Sequence, residues 1–326
     1  MSEPLLEWRD VTRDFRAPGR AGRGTKLHAV RGVCLSVHEG QSVALVGESG
    51  CGKSTLARMA VRLEEPDSGE VLIEGRSISS LSHRERREQT SQIQLVPQDA
   101  AAALDPRVTI GTSIAEPLVI HRRGTSADRQ TRVASLLDEV GLDSSLADRY
   151  PHQLSGGQRQ RVVIARALAL EPRMLIADEP VSALDVSVRA QVLNLLRDIQ
   201  RQRSLALLVI SHDLAVVRTI TTRIDVMYLG RIVESGDTAA VIDSPAHPYT
   251  AALVAAFPDP NPATRSRRAA PLGEVPSAVN LPRGCSFAGR CPVVKDDCLV
   301  TDPLIGVQPA APNTACLHPL TPAQSS

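Results

Sequence analysis

The chain has 326 residues, 42% hydrophobic and 22% charged. That composition can bury a core and stay soluble, and it excludes a disordered polymer, a collagen or a small disulfide scaffold. Lys plus Arg (37) against Asp plus Glu (36) leaves a net charge of +1, so no global field draws the chain to nucleic acid or acidic lipid.

No apolar run approaches the ~20 residues needed to span a bilayer. The start, with Glu3, Glu7 and Arg9 among its apolar residues, lacks the apolar stretch of a signal peptide. The expectation is a chain that stays in the cytosol, where its six Cys need an explanation other than disulfides.

Taken in order, residues 5–16 alternate loosely and read as a strand, and residues 17–26 read as an exposed Gly-containing loop. Ser42 to Val46 is a buried-strand pattern ending at Gly47, and residues 55–63 resume helical spacing. Short apolar runs follow at 93–96 (IQLV), 174–177 (MLIA) and 205–210 (LALLVI), with helix-like stretches at 128–140, 158–170 and 188–202 between and beyond them. Strands alternating with helices predict an α/β fold with a parallel sheet covered on both faces, and ligands at the carboxyl ends of its strands. From Pro258 the composition shifts. Residues 258–284 hold six Pro and the cluster Arg265, Arg267 and Arg268 without any amphipathic period, which reads as an extended linker. The expected division is 1–257, a linker 258–284, and a Cys-containing extension 285–326.

Gly47-Glu48-Ser49-Gly50-Cys51-Gly52-Lys53-Ser54 fits the phosphate-loop pattern G-x-x-x-x-G-K-S, after a strand and before a helix. Glycines let backbone N–H groups close around phosphate oxygens, and the helix start adds its partial charge. Lys53 can reach the outer phosphates, and the Ser54 hydroxyl suits Mg²⁺; Thr55 follows in the first turn. Met174 to Glu179 delivers two carboxylates at a strand end: Asp178 suits support of Mg²⁺, and Glu179 is placed to polarise an attacking water. Leu154-Ser155-Gly156-Gly157-Gln158 precedes an apolar-periodic helix. It could be an ordinary capped helix. As a second phosphate-binding helix start, it makes sense if it completes the site of another subunit.

With Gln98, Ser182-Ala183-Leu184-Asp185 and His212 added in order, the chain resembles an ABC-transporter ATPase over roughly residues 5–257. The resemblance implies a P-loop NTPase fold, with a RecA-like core plus a helical subdomain. It also implies a head-to-tail dimer that sandwiches two ATP molecules, each between the phosphate loop of one subunit and Ser155–Gly157 of the other. Gln98 would sense the γ-phosphate and Mg²⁺, His212 would contact the γ-phosphate, Asp185 would line the seam, and Phe15 would stack on adenine, a core strand residue being the plainer alternative.

Several stretches are similar to the oligopeptide/dipeptide importer branch: Gly47–Arg58, Tyr150–Arg161, His247-Pro248-Tyr249-Thr250, and the tail after Gly273–Ser277. The loop sequence and Gln158 resemble the F-type subunit, which pairs with a D-type sister. The implied partners are that sister or a second copy, two membrane permease subunits, and indirectly an extracytoplasmic solute-binding protein, with the chain peripheral at the cytoplasmic face of the membrane. Residues 97–106 depart from the branch's usual pattern while keeping Gln98 and Pro106.

Cys285, Cys291, Cys298 and Cys316 could close a Zn²⁺ site or an iron–sulfur cluster; free thiols are the alternative. A tail this short buries little core alone, and a metal would stabilise it. Similar tails in this branch can carry a [4Fe–4S] cluster, which favours iron–sulfur over zinc. His318 is a spare ligand, while Cys34 and Cys51 read as small fillers. The implied activity is ATP hydrolysis driving import of di- or oligopeptides. The alternatives are a nickel or other small-solute importer of the same branch, or a soluble ABC-type ATPase acting on nucleic acid. No long heptad run separates Lys53 from Ser155, which argues against the DNA-repair members.

Overall fold

The computed structural model describes residues 3–17, 25–256, 276–305 and 313–320. The centre of the loop expected at 17–26, most of the expected linker with Arg265, Arg267 and Arg268, and Gly273 to Val275 lie outside the described residues. In chain order the elements are β1 (Leu6–Arg16), β2 (Lys26–Val37), β3 (Ser42–Val46), α1 (Lys53–Ala60), β4 (Ser68–Ile73), β5 (Arg76–Ser77), α2 (His83–Gln92), β6 (Ile93–Val96), α3 (Ile110–Ile120) and α4 (Ser126–Glu139). There follow α5 (Gly156–Leu168), β7 (Met174–Asp178), α6 (Val186–Arg203), β8 (Ala206–Ser211), α7 (Leu214–Ile220), β9 (Arg223–Tyr228), β10 (Arg231–Asp237), α8 (Thr238–Asp243) and α9 (Pro248–Ala255), with short 3-10 turns at Ala288–Arg290 and Asp296–Leu299.

The chain divides into two units. The first comprises Met1–Leu5, Val37–Ser42 and Ile73–Ile210. In it β6, β7 and β8 run parallel, with Ile93 beside Met174 and Ala177 beside Val209. Every residue of β7 and β8 is buried, as a parallel sheet covered on both faces requires. Its helices start where side chains satisfy the first free N–H groups: Thr125 and Asp128 form a reciprocal capping box at α4, as Ser155 and Gln158 do at α5. α3 packs against α4 and α5 despite Pro117 in its interior.

The second unit comprises Leu6–Ser36, Val43–Leu72 and Ser211–Ser326. Here β3 pairs parallel with β9, and β10 returns antiparallel to β9, so the wholly parallel sheet expected from the sequence is mixed instead. A second sheet runs in the order β2-β1-β4. The core joins Val46, Val226, Tyr228, Tyr249 and Phe287, with Cys285 and Cys291 packed against it. The free edge of β10 is covered from the C-terminal segment: Ser235 N–H donates to Asn313 O at 2.9 Å and Ala315 N–H to Val233 O at 2.8 Å.

Candidate functional site

Phe15, Gly47–Thr55 and His212 fall in the second unit; Gln98, Ser155–Gln158, Asp178, Glu179 and Asp185 fall in the first. The phosphate loop leaves β3 and enters α1 through residues that only glycine suits. Gly52 has φ +111°, and a Cβ there would lie 2.1 Å from Ala29 O; at Gly47, with φ +154°, it would lie 2.1 Å from Met227 O. The loop is thus pressed against neighbouring backbone, with its own N–H groups left for a ligand.

Lys53 is 6% exposed. Its Nζ donates to Gly47 O at 2.8 Å and Glu48 O at 2.9 Å, so the cation is held over the loop by carbonyls rather than by a carboxylate. Ser54 and Thr55 are half-buried in the first turn of α1, and Cys51 is buried with its thiol 3.6 Å from Lys53 Nζ. Burial pushes the Cys51 thiol up, against the nearby ammonium.

Glu48 is tied at every polar group. Its N–H donates to the Tyr249 hydroxyl at 2.9 Å, and its carboxylate takes both Arg290 Nη atoms at 2.9 Å. Its carbonyl accepts from Lys53. Arg290 is buried at 6% exposure, its guanidinium 5.9 Å from the Tyr228 ring and 5.8 Å from the Phe287 ring. Tyr228, Tyr249 and Phe287 pack edge to face or tilted at 4.5–5.5 Å. The bidentate pair with Glu48 holds the Arg290 guanidinium above its ordinary value. Arg290 and Tyr249 are site residues that motif reading missed. Glu48 and Arg290 stand 242 positions apart, and no short pattern links them.

In the first unit, Gln98, Gly156, Glu179 and Leu184 line one cavity of about 610 Å³. Glu179 is half-buried with φ +50°, a left-handed conformation costly for a residue with a Cβ. It is fixed there by Glu179 N–H donating to Ile210 O at 2.9 Å, and by its own carbonyl accepting from the Ser182 hydroxyl at 3.2 Å. Asp178 closes β7 and is buried. Ser155 and Gly156 are exposed at the start of α5, while Gly157 is buried. The side chain of Gln158 accepts from Ser155 N–H at 2.9 Å, so its evident work is capping the helix. Asp185 is the exposed N-cap of α6.

His212 is exposed between β8 and α7, whose start is capped by Asp213. One face of Phe15 is taken by the Arg13 guanidinium at 5.0 Å.

The His247–Thr250 stretch anchors the tail. His247 Nδ1 accepts from Tyr249 N–H at 2.9 Å, and its ring also hydrogen-bonds the Ala315 backbone. Glu234 accepts from Ala246 N–H at 2.7 Å and His247 N–H at 3.0 Å. Cys285 N–H donates to Cys298 O at 2.8 Å, and a Cβ on Gly284 would lie 2.3 Å from that same carbonyl. The four tail thiols are free. Cys316 is pushed up to about 12 by burial, with Cys285, Cys291 and Cys298 adding to it by their charge.

Residues 30–182 match the family "ABC transporter", and residues 233–298 match "Oligopeptide/dipeptide transporter, C-terminal region". A probable peptide ABC transporter ATP-binding protein of Sinorhizobium fredii is 48% identical, over 100% of this chain and 93% of its own length. The oligopeptide transport ATP-binding protein AppF of Bacillus subtilis is 47% identical, over 91% of this chain and 92% of its own. The ATP-binding cassette MJ0796, solved as a dimer in a post-hydrolysis state with ADP and phosphate, superposes with a TM-score of 0.65 at 30% identity, over 72% of this chain and 99% of that one. On these matches the chain belongs to the ATP-binding proteins of ABC transporters, which are ATPases, in the branch that carries the oligopeptide/dipeptide transporter C-terminal region.

Proposed function

We propose that this chain is the ATP-hydrolysing subunit of an importer of di- or oligopeptides. The observation that carries the reading is the junction of a complete phosphate loop with a C-terminal region seated on it through Tyr249 and Arg290. Relatives named for peptide transport match this chain over nearly their whole length.

In this reading Gly47–Thr55 bind the phosphates of ATP, Lys53 neutralises them, and Phe15 stacks on the base. Ser54, Gln98 and Asp178 would hold Mg²⁺, which when bound offsets charge on the phosphate oxygens. Glu179 orients the attacking water, its backbone set in advance by the contacts to Ile210 and Ser182, and His212 contacts the terminal phosphate. Ser155, Gly156 and Gly157 act on the nucleotide of a partner, with Asp185 at the seam. The partner is a D-type sister or a second copy. Two permease subunits and a solute-binding protein complete the assembly at the cytoplasmic face. Among the described residues no helix is long and apolar enough to cross a membrane, which fits a peripheral subunit carried by permeases. Residues 1–257 form the ATPase domain, 258–284 a linker and 285–326 the extension.

The extension fits a [4Fe–4S] cluster on Cys285, Cys291, Cys298 and Cys316. Among the described residues, the group whose ligand atoms all fall within 4.8 Å of one another is Asp297, Cys298 and His318.

The test is Glu179→Gln, made in the chain and in its sister where one exists. ATP should still bind and should trap a dimer while turnover is lost. Unchanged turnover removes Glu179 from its role, and failure of ATP to draw protomers together removes the shared site.

A further inference from the structure

The second unit holds an unusual concentration of contacts on one phosphate-loop residue. Glu48 uses its carbonyl to hold Lys53, and its other two polar groups are held from the C-terminal region, the N–H by Tyr249 and the carboxylate by Arg290. The Gly47–Glu48 peptide, whose carbonyl also accepts from Lys53, is therefore pinned by Tyr249 about 200 positions away, and the Glu48 side chain by Arg290 about 240 positions away. Arg290 closes the 3-10 turn Ala288–Arg290 and precedes Cys291 directly. That turn lies between two of the tail thiols, and Phe287 at its entry is wedged against Tyr228 and Tyr249.

We propose that Arg290 is a positioning residue for the phosphate loop, and that through Glu48 it couples nucleotide binding to the conformation of the Cys-bearing tail. The inference rests on the reading of Gly47–Ser54 as the ATP site.

The physical basis is the burial of the pair. The Arg290 side chain is 7% exposed and that of Glu48 27%, so neither charge can fall back fully on water if the other leaves. A guanidinium fork on a carboxylate fixes orientation as well as distance. It therefore transmits displacement of the 286–291 turn to the loop, and displacement of the loop to the turn. Coupling of this kind is reciprocal: if the tail's position alters nucleotide affinity, nucleotide must alter the tail by the same factor. A purely structural salt bridge has no such requirement.

The experiment uses the full chain with Mg²⁺ and a fluorescent methylanthraniloyl-ATP, comparing wild type, Arg290→Met, Arg290→Lys, Glu48→Gln and Lys53→Ala. Backbone hydrogen exchange of the 285–291 segment is followed with and without nucleotide. Arg290→Met and Glu48→Gln should each weaken binding about tenfold, the scale of one charge-assisted hydrogen-bond pair. Arg290→Lys should fall between, because lysine keeps the charge and loses the fork. In wild type, nucleotide should slow exchange across the segment, and in Arg290→Met and Glu48→Gln that slowing should vanish.

Affinities within twofold of wild type, or wild-type exchange indifferent to nucleotide, overturn the proposal. If Arg290→Met fails to fold, Glu48→Gln decides alone, since it removes only the charge on the loop side and changes no residue of the tail. Undiminished binding by Lys53→Ala would overturn the ATP-site reading instead, a separate outcome.

Discussion

Replacing His247 by Asn should flatten the acid limb of this protein's stability curve. His247 is 1% exposed, and its Nδ1 is the acceptor for Tyr249 N–H at 2.9 Å, so a proton added there abolishes the helix cap as well as placing charge in the core. Burial lowers its pKa from 6.5 to about 4, against a smaller opposing effect of the Ala315 backbone. The native state therefore resists a proton that the unfolded chain accepts. The stabilisation is complete above the unfolded value and is lost as pH falls from about 6.5 towards 4. The full shift amounts to about 3 kcal/mol, of which about 2 kcal/mol should disappear between roughly pH 7.5 and pH 5. Glu234, whose carboxyl is raised by burial, has the opposite sign: its contribution is greatest at low pH and is lost as pH rises through its folded value. It is present in both proteins and cancels in their difference. Asn keeps a cap acceptor at the start of α9 without titrating. Urea unfolding of both proteins across this range supplies the difference curve. An Asn variant that loses stability as steeply as wild type on acidification would show that His247 is not buried neutral, and the argument would fail.

Further expectations concern backbone space. Gly52→Ala puts a Cβ 2.1 Å from Ala29 O at φ +111°. It should abolish nucleotide binding and lower stability by about 2–4 kcal/mol, measured by titration and by thermal melting; near-normal binding would mean the loop has room it does not show. Gly284→Ala would drive its Cβ to 2.3 Å from Cys298 O and push Cys285 away from that carbonyl. Anaerobically purified protein should then lose iron and sulfide as fully as Cys291→Ser does, and retention of both in either variant would remove the thiols from a cluster.

The sequence was most legible where local pattern and tertiary role coincide. β3 at Ser42–Val46 agrees with its apolar run because a strand buried along its whole length has few polar positions to blur its ends, and β6 at Ile93–Val96 agrees too, although Gln94 and Leu95 are only half-buried. Helix starts read late: α5 begins at Gly156, not 158, since its first turn consists of capping residues rather than apolar ones. α1 likewise starts at Lys53 and ends at Ala60, ahead of the spacing that suggested 55–63. α3 escaped because Pro117 lies in its interior and masks a helix that packing against α4 and α5 sustains. β9 and β10 carry Asp225 and Glu234, both buried, and so break the apolar pattern that would reveal them. The motifs placed Lys53, Asp178 and Glu179 at strand and helix ends as expected. The hold on Glu48 by Tyr249 and Arg290 is a product of tertiary packing, which no spacing rule encodes.

The stitching of residues 313–315 onto β10 carries a liability for any shortened version of this chain. Stopping translation before Asn313 would bare the Val233 carbonyl and the Ser235 N–H along a sheet margin. Such a margin templates pairing with a like margin on another molecule. Truncated products should precipitate on expression rather than persist as lean, active ATPases.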